Sequence, residues 1–64
     1  MGFDVKWLRG DRVVAVRNFP SLEEASRDAV QLLPSYKKLF DATAVEVWDR
    51  NGYRHLMLDA DEAA

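Results

Sequence analysis

The chain has 64 residues, a net charge of −2, one histidine and no cysteine. A chain this short buries only about 60% of its unfolded surface, and small domains usually need a disulfide, a metal ion or a partner chain for stability. The lack of cysteine excludes disulfides and thiolate metal sites, and a single histidine excludes a histidine-rich zinc site. Very regular packing and self-association are the remaining ways to stabilise so small a domain.

Charge and hydropathy narrow the functional classes further. No apolar run approaches the ~20 residues of a membrane span, and no charged-then-apolar leader precedes the first predicted strand. The sequence therefore predicts a cytoplasmic protein, and its overall pattern is typical of bacterial proteins. Positive charge dominates residues 1–20 and negative charge dominates residues 41–64, an opposition that could help two copies pair. The basic residues form no concentrated stripe, which disfavours nucleic-acid binding.

A first hairpin is predicted around Gly10-Asp11. Residues 3–8 alternate apolar and polar side chains, as a half-buried strand does, and glycine suits the first central position of a type II′ turn. This turn would place Trp7 opposite Val14 and Asp4 opposite Arg17. One face would carry the core residues Phe3, Val5, Trp7, Val14 and Val16, and the other Lys6, Leu8, Val13 and Ala15 with the Asp4–Arg17 pair.

A single amphipathic helix is predicted next. Ser21-Leu22-Glu23-Glu24 forms a capping box, and about three helical turns follow with an apolar stripe facing the core. Pro34 disfavours helical geometry at Leu33. Residues 35–40 are either a kinked continuation of the helix or a separate short turn. The stripe consists of Leu22, Ala25, Ala29, Leu32 and Leu33.

A second hairpin is predicted around Asn51-Gly52, a strong signal for a type I′ turn. That turn would place Trp48 opposite His55 and Asp49 opposite Arg54. One face would then carry Val45, Val47, Leu56 and Leu58, extended by Asp49 and Arg54. The other face would carry Ala44, Glu46, Trp48, Arg50, Tyr53, His55 and Met57.

Together these elements predict a two-layer α+β fold of ββαββ order, with a four-stranded antiparallel sheet covered on one face by the helix. The strand order 2-1-3-4 is favoured because it keeps every neighbouring pair antiparallel. Residues 1–64 form one domain, with a structured core over residues 3–59 and an acidic tail over residues 60–64.

The sheet face that the helix cannot cover is the predicted binding face. Its aromatic and apolar side chains exceed what scattered surface residues provide, and several are of the types enriched in interface cores. The plain alternative is a monomer whose long side chains shield the sheet backbone. Another is a surface for a small ligand or single-stranded nucleic acid, on which bases would stack. The candidate residues are Trp48, Tyr53, His55, Met57, Leu8, Val13, Arg50 and Glu46.

Catalytic chemistry finds little support in the residues. The chain offers one histidine and no cysteine, and Ser21 is engaged as a helix cap. We therefore predict a protein that is not an enzyme and has no cofactor or metal. His55 is expected to stack on Trp48, and Glu46 as its diagonal neighbour would favour the charged imidazole, making association sensitive to pH.

The succession of hairpin, S-L-E-E-A helix and N-G hairpin resembles small uncharacterised bacterial ββαββ proteins. The segment Phe19-Pro20-Ser21-Leu22-Glu23-Glu24-Ala25 also resembles the strand-to-helix junction of HicB-type antitoxins. Neither resemblance implies an activity. The sequence thus predicts a non-enzymatic interaction module that binds a protein partner or a second copy of itself.

Overall fold

The computed structural model describes residues 2–60 and confirms the predicted architecture. Its four strands form one antiparallel sheet in the order β2-β1-β3-β4, which is the predicted order. One helix, α1, packs on one face of this sheet, mainly against β1, β3 and β2. The elements are β1 (Phe3–Arg9), β2 (Arg12–Phe19), α1 (Leu22–Phe40), β3 (Ala44–Asp49) and β4 (Arg54–Asp59).

The predicted helix cap is present at Ser21. Its side-chain oxygen accepts a hydrogen bond from the Glu24 amide at 3.2 Å, which satisfies one of the free donors of the first turn. The opposite end closes at Asp41, whose backbone lies in the left-handed region with φ 56°. The amide of Ala42 then donates to the Tyr36 carbonyl at 3.3 Å, so that the chain leaves the helix with a terminal carbonyl bonded.

Pro34 does not end the helix. The helix runs without interruption through Pro34 to Phe40, so the first of the two alternatives for residues 35–40, a continuation, is the one observed, and the predicted length of three turns is too short. Proline removes only the amide that would bond to the Val30 carbonyl. Because Val30 is 57% exposed, water can satisfy that carbonyl. The last turns are held by Tyr36, whose ring lies 4.3 Å from that of Trp7.

The core lies between α1 and the central strands. Trp7 is fully buried, and two alanines on the helix let the backbone approach the sheet closely. The core extends to Ala60, which is only 3% exposed and whose amide donates to the Thr43 carbonyl at 2.8 Å. Residues 61–64 of the predicted acidic tail lie outside the described residues. The core cluster comprises Val5, Trp7, Ala25, Ala29, Leu33, Val45, Val47 and Ala60.

The first hairpin has the predicted turn but not the predicted register. Gly10 has φ 63°, as a type II′ turn requires, and Leu8 faces Val13 as expected. Beyond that pair a bulge shifts the register, so that Trp7 faces Ala15 instead of Val14. The predicted pairs past Leu8 are therefore wrong. The run of four apolar residues at 13–16 carries no alternation that would have fixed the register.

The bulge exchanges the faces of the following residues in β2. Val16 now faces Lys6 on the side away from the helix, where it is 51% exposed. Arg17 turns to the helix side and its Nε lies 3.4 Å from Asp28 Oδ2. The predicted Asp4–Arg17 pair is therefore wrong, and Asp4 instead accepts a hydrogen bond from the Asn18 side chain.

The second hairpin keeps its register along most of the strands and changes it near the turn. Val47 faces Leu56 as predicted, whereas Trp48 faces Arg54 and not His55. The predicted type I′ turn is also wrong, because it needs positive φ at both central residues and among the described non-glycine residues only Asp41 has positive φ. The amide of Gly52 instead bonds to the Asp49 carbonyl at 3.3 Å, with Gly52 at φ 86°.

Candidate functional site

The sheet face turned away from the helix is called the open face below. Directly paired residues of an antiparallel sheet share a face, and successive residues alternate. Val5, Trp7, Val45 and Val47 are buried beneath the helix. The residues that alternate with them along β1 and β3 therefore lie on the open face, together with the residues that pair with those across the strands. These residues are Asp4, Lys6 and Leu8 of β1, Val13, Val16 and Asn18 of β2, Ala44, Glu46 and Trp48 of β3, and Arg54, Met57 and Asp59 of β4.

Trp48 is fixed in place on the open face. Its indole N–H donates to Glu46 Oε1 at 3.0 Å, and the Lys6 ammonium lies 5.2 Å from the centre of its ring. The other carboxylate oxygen of Glu46 accepts from Arg54 Nη1 at 3.0 Å. Because the Glu46 side chain is only 15% exposed, its bond to the Trp48 indole is partly shielded from water, whereas its partner Arg54 stays 47% exposed. The result is a pre-oriented aromatic ring among paired charges.

Apolar side chains flank this central group on both edge strands. On β2, Val13 and Val16 are 45% and 51% exposed, and on β4 Met57 is 50% exposed. Leu8, on the central strand β1, is half-buried beside them. The open face therefore combines an ordered polar centre with accessible apolar margins.

The remaining candidates, Arg50, Tyr53 and His55, lie at or next to the turn between β3 and β4. Phe3 and Asp49 contact His55 there, and we call these five residues the turn cluster. His55 Nε2 lies 2.9 Å from Asp49 Oδ2, and its ring makes edge contacts with Phe3 at 5.5 Å and Tyr53 at 4.8 Å. Phe3 and Asp49 belong to the helix side of the sheet. The predicted stacking of His55 on Trp48 is therefore wrong, and so is its pairing with Glu46, whose neighbour is Arg54.

Asp49 organises the turn cluster electrostatically. Its Oδ1 accepts hydrogen bonds from the amides of Asn51 at 2.8 Å and Tyr53 at 3.0 Å. The Tyr53 amide, followed by the bond to His55, lowers the pKa of the Asp49 carboxyl below its ordinary value. These bonds also explain why the turn differs from type I′. Asp49 caps two amides of the turn, which stabilises a conformation in which only Gly52 has positive φ.

The chemistry available in the turn cluster is limited. In nucleophilic enzymes an aspartate often orients the histidine that activates the nucleophile. Here Asp49 is also bonded to two turn amides and His55 packs between two rings, so that both side chains have structural contacts. A cavity of about 270 Å³ adjoins the cluster, lined by Gly2, Phe3, Asp49, Arg50, Asn51 and His55. Within residues 2–60, no group of three His, Asp or Glu side chains is placed to hold a metal ion.

The structure thus divides the eight predicted binding residues between two places. The open face carries Leu8, Val13, Glu46, Trp48 and Met57, whereas the turn cluster holds Arg50, Tyr53 and His55.

Sequence reasoning missed four residues of the open face, Val16, Asn18, Arg54 and Asp59. It also placed Ala15 there, which is wrong, because Ala15 pairs with Trp7 on the helix side. A usable signal for Arg54 was the spacing Asp49-x-x-Gly52, because type I turns favour aspartate at the first position and glycine at the fourth.

Comparison of the chain with protein-family models, with curated proteins and with solved structures finds no match in any of the three. Across residues 2–60, no helix has the length and apolar character needed to span a membrane. The open face and the turn cluster are therefore the two features of the molecule that bear on its function.

Proposed function

We propose that this chain is a cytoplasmic, non-enzymatic interaction module that binds a protein partner through the open face. The observation that carries the proposal is the fixed position of Trp48, which is hydrogen-bonded to Glu46 and covered by Lys6. Binding to a pre-ordered aromatic side chain costs little conformational entropy. Tryptophan, arginine and methionine are also the residue types enriched at the energetic centres of interfaces.

The distribution of charge favours a protein partner over nucleic acid. Lys6 and Arg54 are the cations of the open face, and three carboxylates lie on the same face. Glu46 is bonded directly to Arg54 and is close to Trp48. A nucleic-acid surface needs a continuous positive potential to neutralise phosphates, whereas here Lys6 faces Glu46 in the register of β1 and β3, and Arg54 is bonded to the same carboxylate. A partner with apolar side chains and mixed charges fits better.

The experiment compares two valines of similar exposure that occupy opposite sides of the molecule. Val16 is on the open face at 51% exposure, and Val30 is on the outer side of the helix at 57%. We would quantify the proteins that the wild type, Val16→Arg and Val30→Arg capture from source cells. A protein captured by the wild type and Val30→Arg but not by Val16→Arg would then be purified, and its binding would be titrated. We expect Val16→Arg and Trp48→Ala to weaken its binding at least about tenfold, while Val30→Arg binds as the wild type does.

Equal binding by Val16→Arg and Val30→Arg would refute the open face as the interface. A purified ligand that proves to be nucleic acid, with affinity falling steeply as salt increases, would support the alternative class instead.

A further inference from the structure

We infer that the outer edge of β4, which pairs with no other strand of residues 2–60, pairs antiparallel with β4 of a second copy, around a two-fold axis that passes beside Met57. The product would be an eight-stranded sheet with both helices on one side and both open faces on the other. This inference uses the backbone edge and the helix side of β4, and it does not depend on what the open face binds.

The backbone groups of β4 that point outward can be identified from one bond. The Ala60 amide donates to the Thr43 carbonyl at 2.8 Å, and this pair continues the register that places Leu58 opposite Val45. In an antiparallel ladder, alternate residues bond to the same neighbour. The backbone groups of Leu56, Leu58 and Ala60 therefore face β3, and those of Met57 and Asp59 face away from the sheet.

The helix leaves the side chains of β4 incompletely covered. It packs mainly against β1, β3 and β2, so Leu56 and Leu58 on the helix side of β4 are only half-buried at the margin of the core. A strand from a second copy would cover these two leucines with apolar side chains. An uncovered strand edge beside half-buried leucines is a common site of strand addition.

The sequence of β4 is self-complementary in one register. With Met57 opposite its own symmetry mate, Leu56 faces Leu58 of the other copy twice on the helix side. On the open face, Arg54 comes opposite Asp59 of the second copy because His55 is the extra residue of the bulge, and this places opposite charges beside each other. The outward backbone groups of Met57 and Asp59 also face the dyad in this register. Moving the dyad to Leu56 or Leu58 would leave one leucine pair instead of two.

The other edge of the sheet is less suited to this pairing. The bulge of β2 lies inside the strand, next to Val14, and interrupts the row of backbone groups that a second strand would need. The bulge of β4 lies at its beginning, and the segment from Leu56 to Asp59 keeps a regular register with β3.

The test changes one outward backbone amide. Met57→Pro removes the N–H that faces the second copy and spares the bonds to β3, whereas Met57→Ala shortens the same side chain and keeps the amide. Sedimentation from low micromolar to millimolar concentration should show a monomer–dimer equilibrium for the wild type and for Met57→Ala. Met57→Pro should remain monomeric, while Val16→Arg on the open face should dimerise normally. This last variant separates the present inference from the proposed function.

A second measurement keeps the inference testable if Met57→Pro fails to fold. In an equimolar mixture of isotope-labelled and unlabelled wild type, intermolecular contacts should appear between the side chains of Leu56 and Leu58. A wild type that stays monomeric at millimolar concentration would overturn the inference. So would a dimer that persists in folded Met57→Pro, or one whose intermolecular contacts involve β2.

Discussion

Replacing Asp41 with glycine should stabilise the protein, because Asp41 ends the helix with φ 56°. An L-residue in the left-handed region costs about 1–2 kcal/mol, and aspartate pays less than most. Glycine removes this cost but loses about 0.5–1 kcal/mol through the greater freedom of its unfolded chain. It also removes an acidic side chain from the negative end of the helix dipole, which gains about 0.3–1 kcal/mol. The expected net gain in the free energy of unfolding is about 0.5–1 kcal/mol.

Thermal and urea unfolding of matched variants would measure this gain. For a domain of this size, 1 kcal/mol corresponds to roughly 4–8 °C in Tm, so Asp41→Gly should raise Tm by about 2–8 °C. Asp41→Asn removes the charge and still tolerates the left-handed backbone, whereas Asp41→Ala removes the charge without that tolerance. The expected order of stability is Gly, then Asn, then Ala, and added salt should shrink only the share due to charge. An alanine variant as stable as the glycine variant would refute the reasoning.

Two further substitutions test the carboxyls with shifted pKa. The pKa of Asp49 is lowered by hydrogen bonds from the Tyr53 amide and His55, so its stabilisation is present above its unfolded pKa and is lost as pH falls through the folded pKa. Asp49→Asn should therefore be less stable than the wild type near neutral pH, and the difference should shrink in acid. The pKa of Asp28 is raised by burial, in opposition to Arg17, so its stabilisation is present below its unfolded pKa and is lost as pH rises through the folded pKa. Asp28→Asn should match the wild type in acid and exceed its stability near neutral pH. Urea unfolding at several pH values measures both differences. An Asp28→Asn variant that is less stable than the wild type at neutral pH would contradict the prediction for Asp28.

The sequence was sufficient for features that depend on neighbouring residues. Ser21 caps the helix through Glu24, and Gly10 supplies the positive φ of the first turn. The strand order also followed from sequence, because only a few orders let two hairpins and one helix form an antiparallel sheet. In each of these cases the local preference and the tertiary packing favour the same structure.

The residues near the second turn show why the candidate site was only partly predictable. Asn51-Gly52 favours a two-residue turn, whereas Asp49 and Gly52 favour a longer one, and both patterns are present in the same four positions. The longer turn prevails because Asp49 bonds to the amides of Asn51 and Tyr53 and also to His55. That choice moves His55 to the helix side, and no count of alternating residues could have revealed it.

Pro34 shows the opposite limit of local reasoning. Its effect on an isolated helix is strongly unfavourable, yet here the only amide removed would have bonded to the carbonyl of Val30, which is an exposed residue. The packing of Tyr36 against Trp7 then holds the following turn in place. Tertiary contacts thus outweigh the helix-breaking preference of Pro34, at a position where water can replace the lost hydrogen bond.

The two bulges have a consequence for how this fold can vary in length. Each bulge holds one residue beyond the regular ladder, at Val14 or His55, and both lie on outer strands. Loss of either residue would leave a regular ladder with every other side chain still on its present face. Loss of a residue within β1 or β3 would instead turn core side chains toward water, and it would shift the register with both neighbouring strands. Single-residue insertions and deletions in sequences that adopt this fold should therefore accumulate on the outer strands.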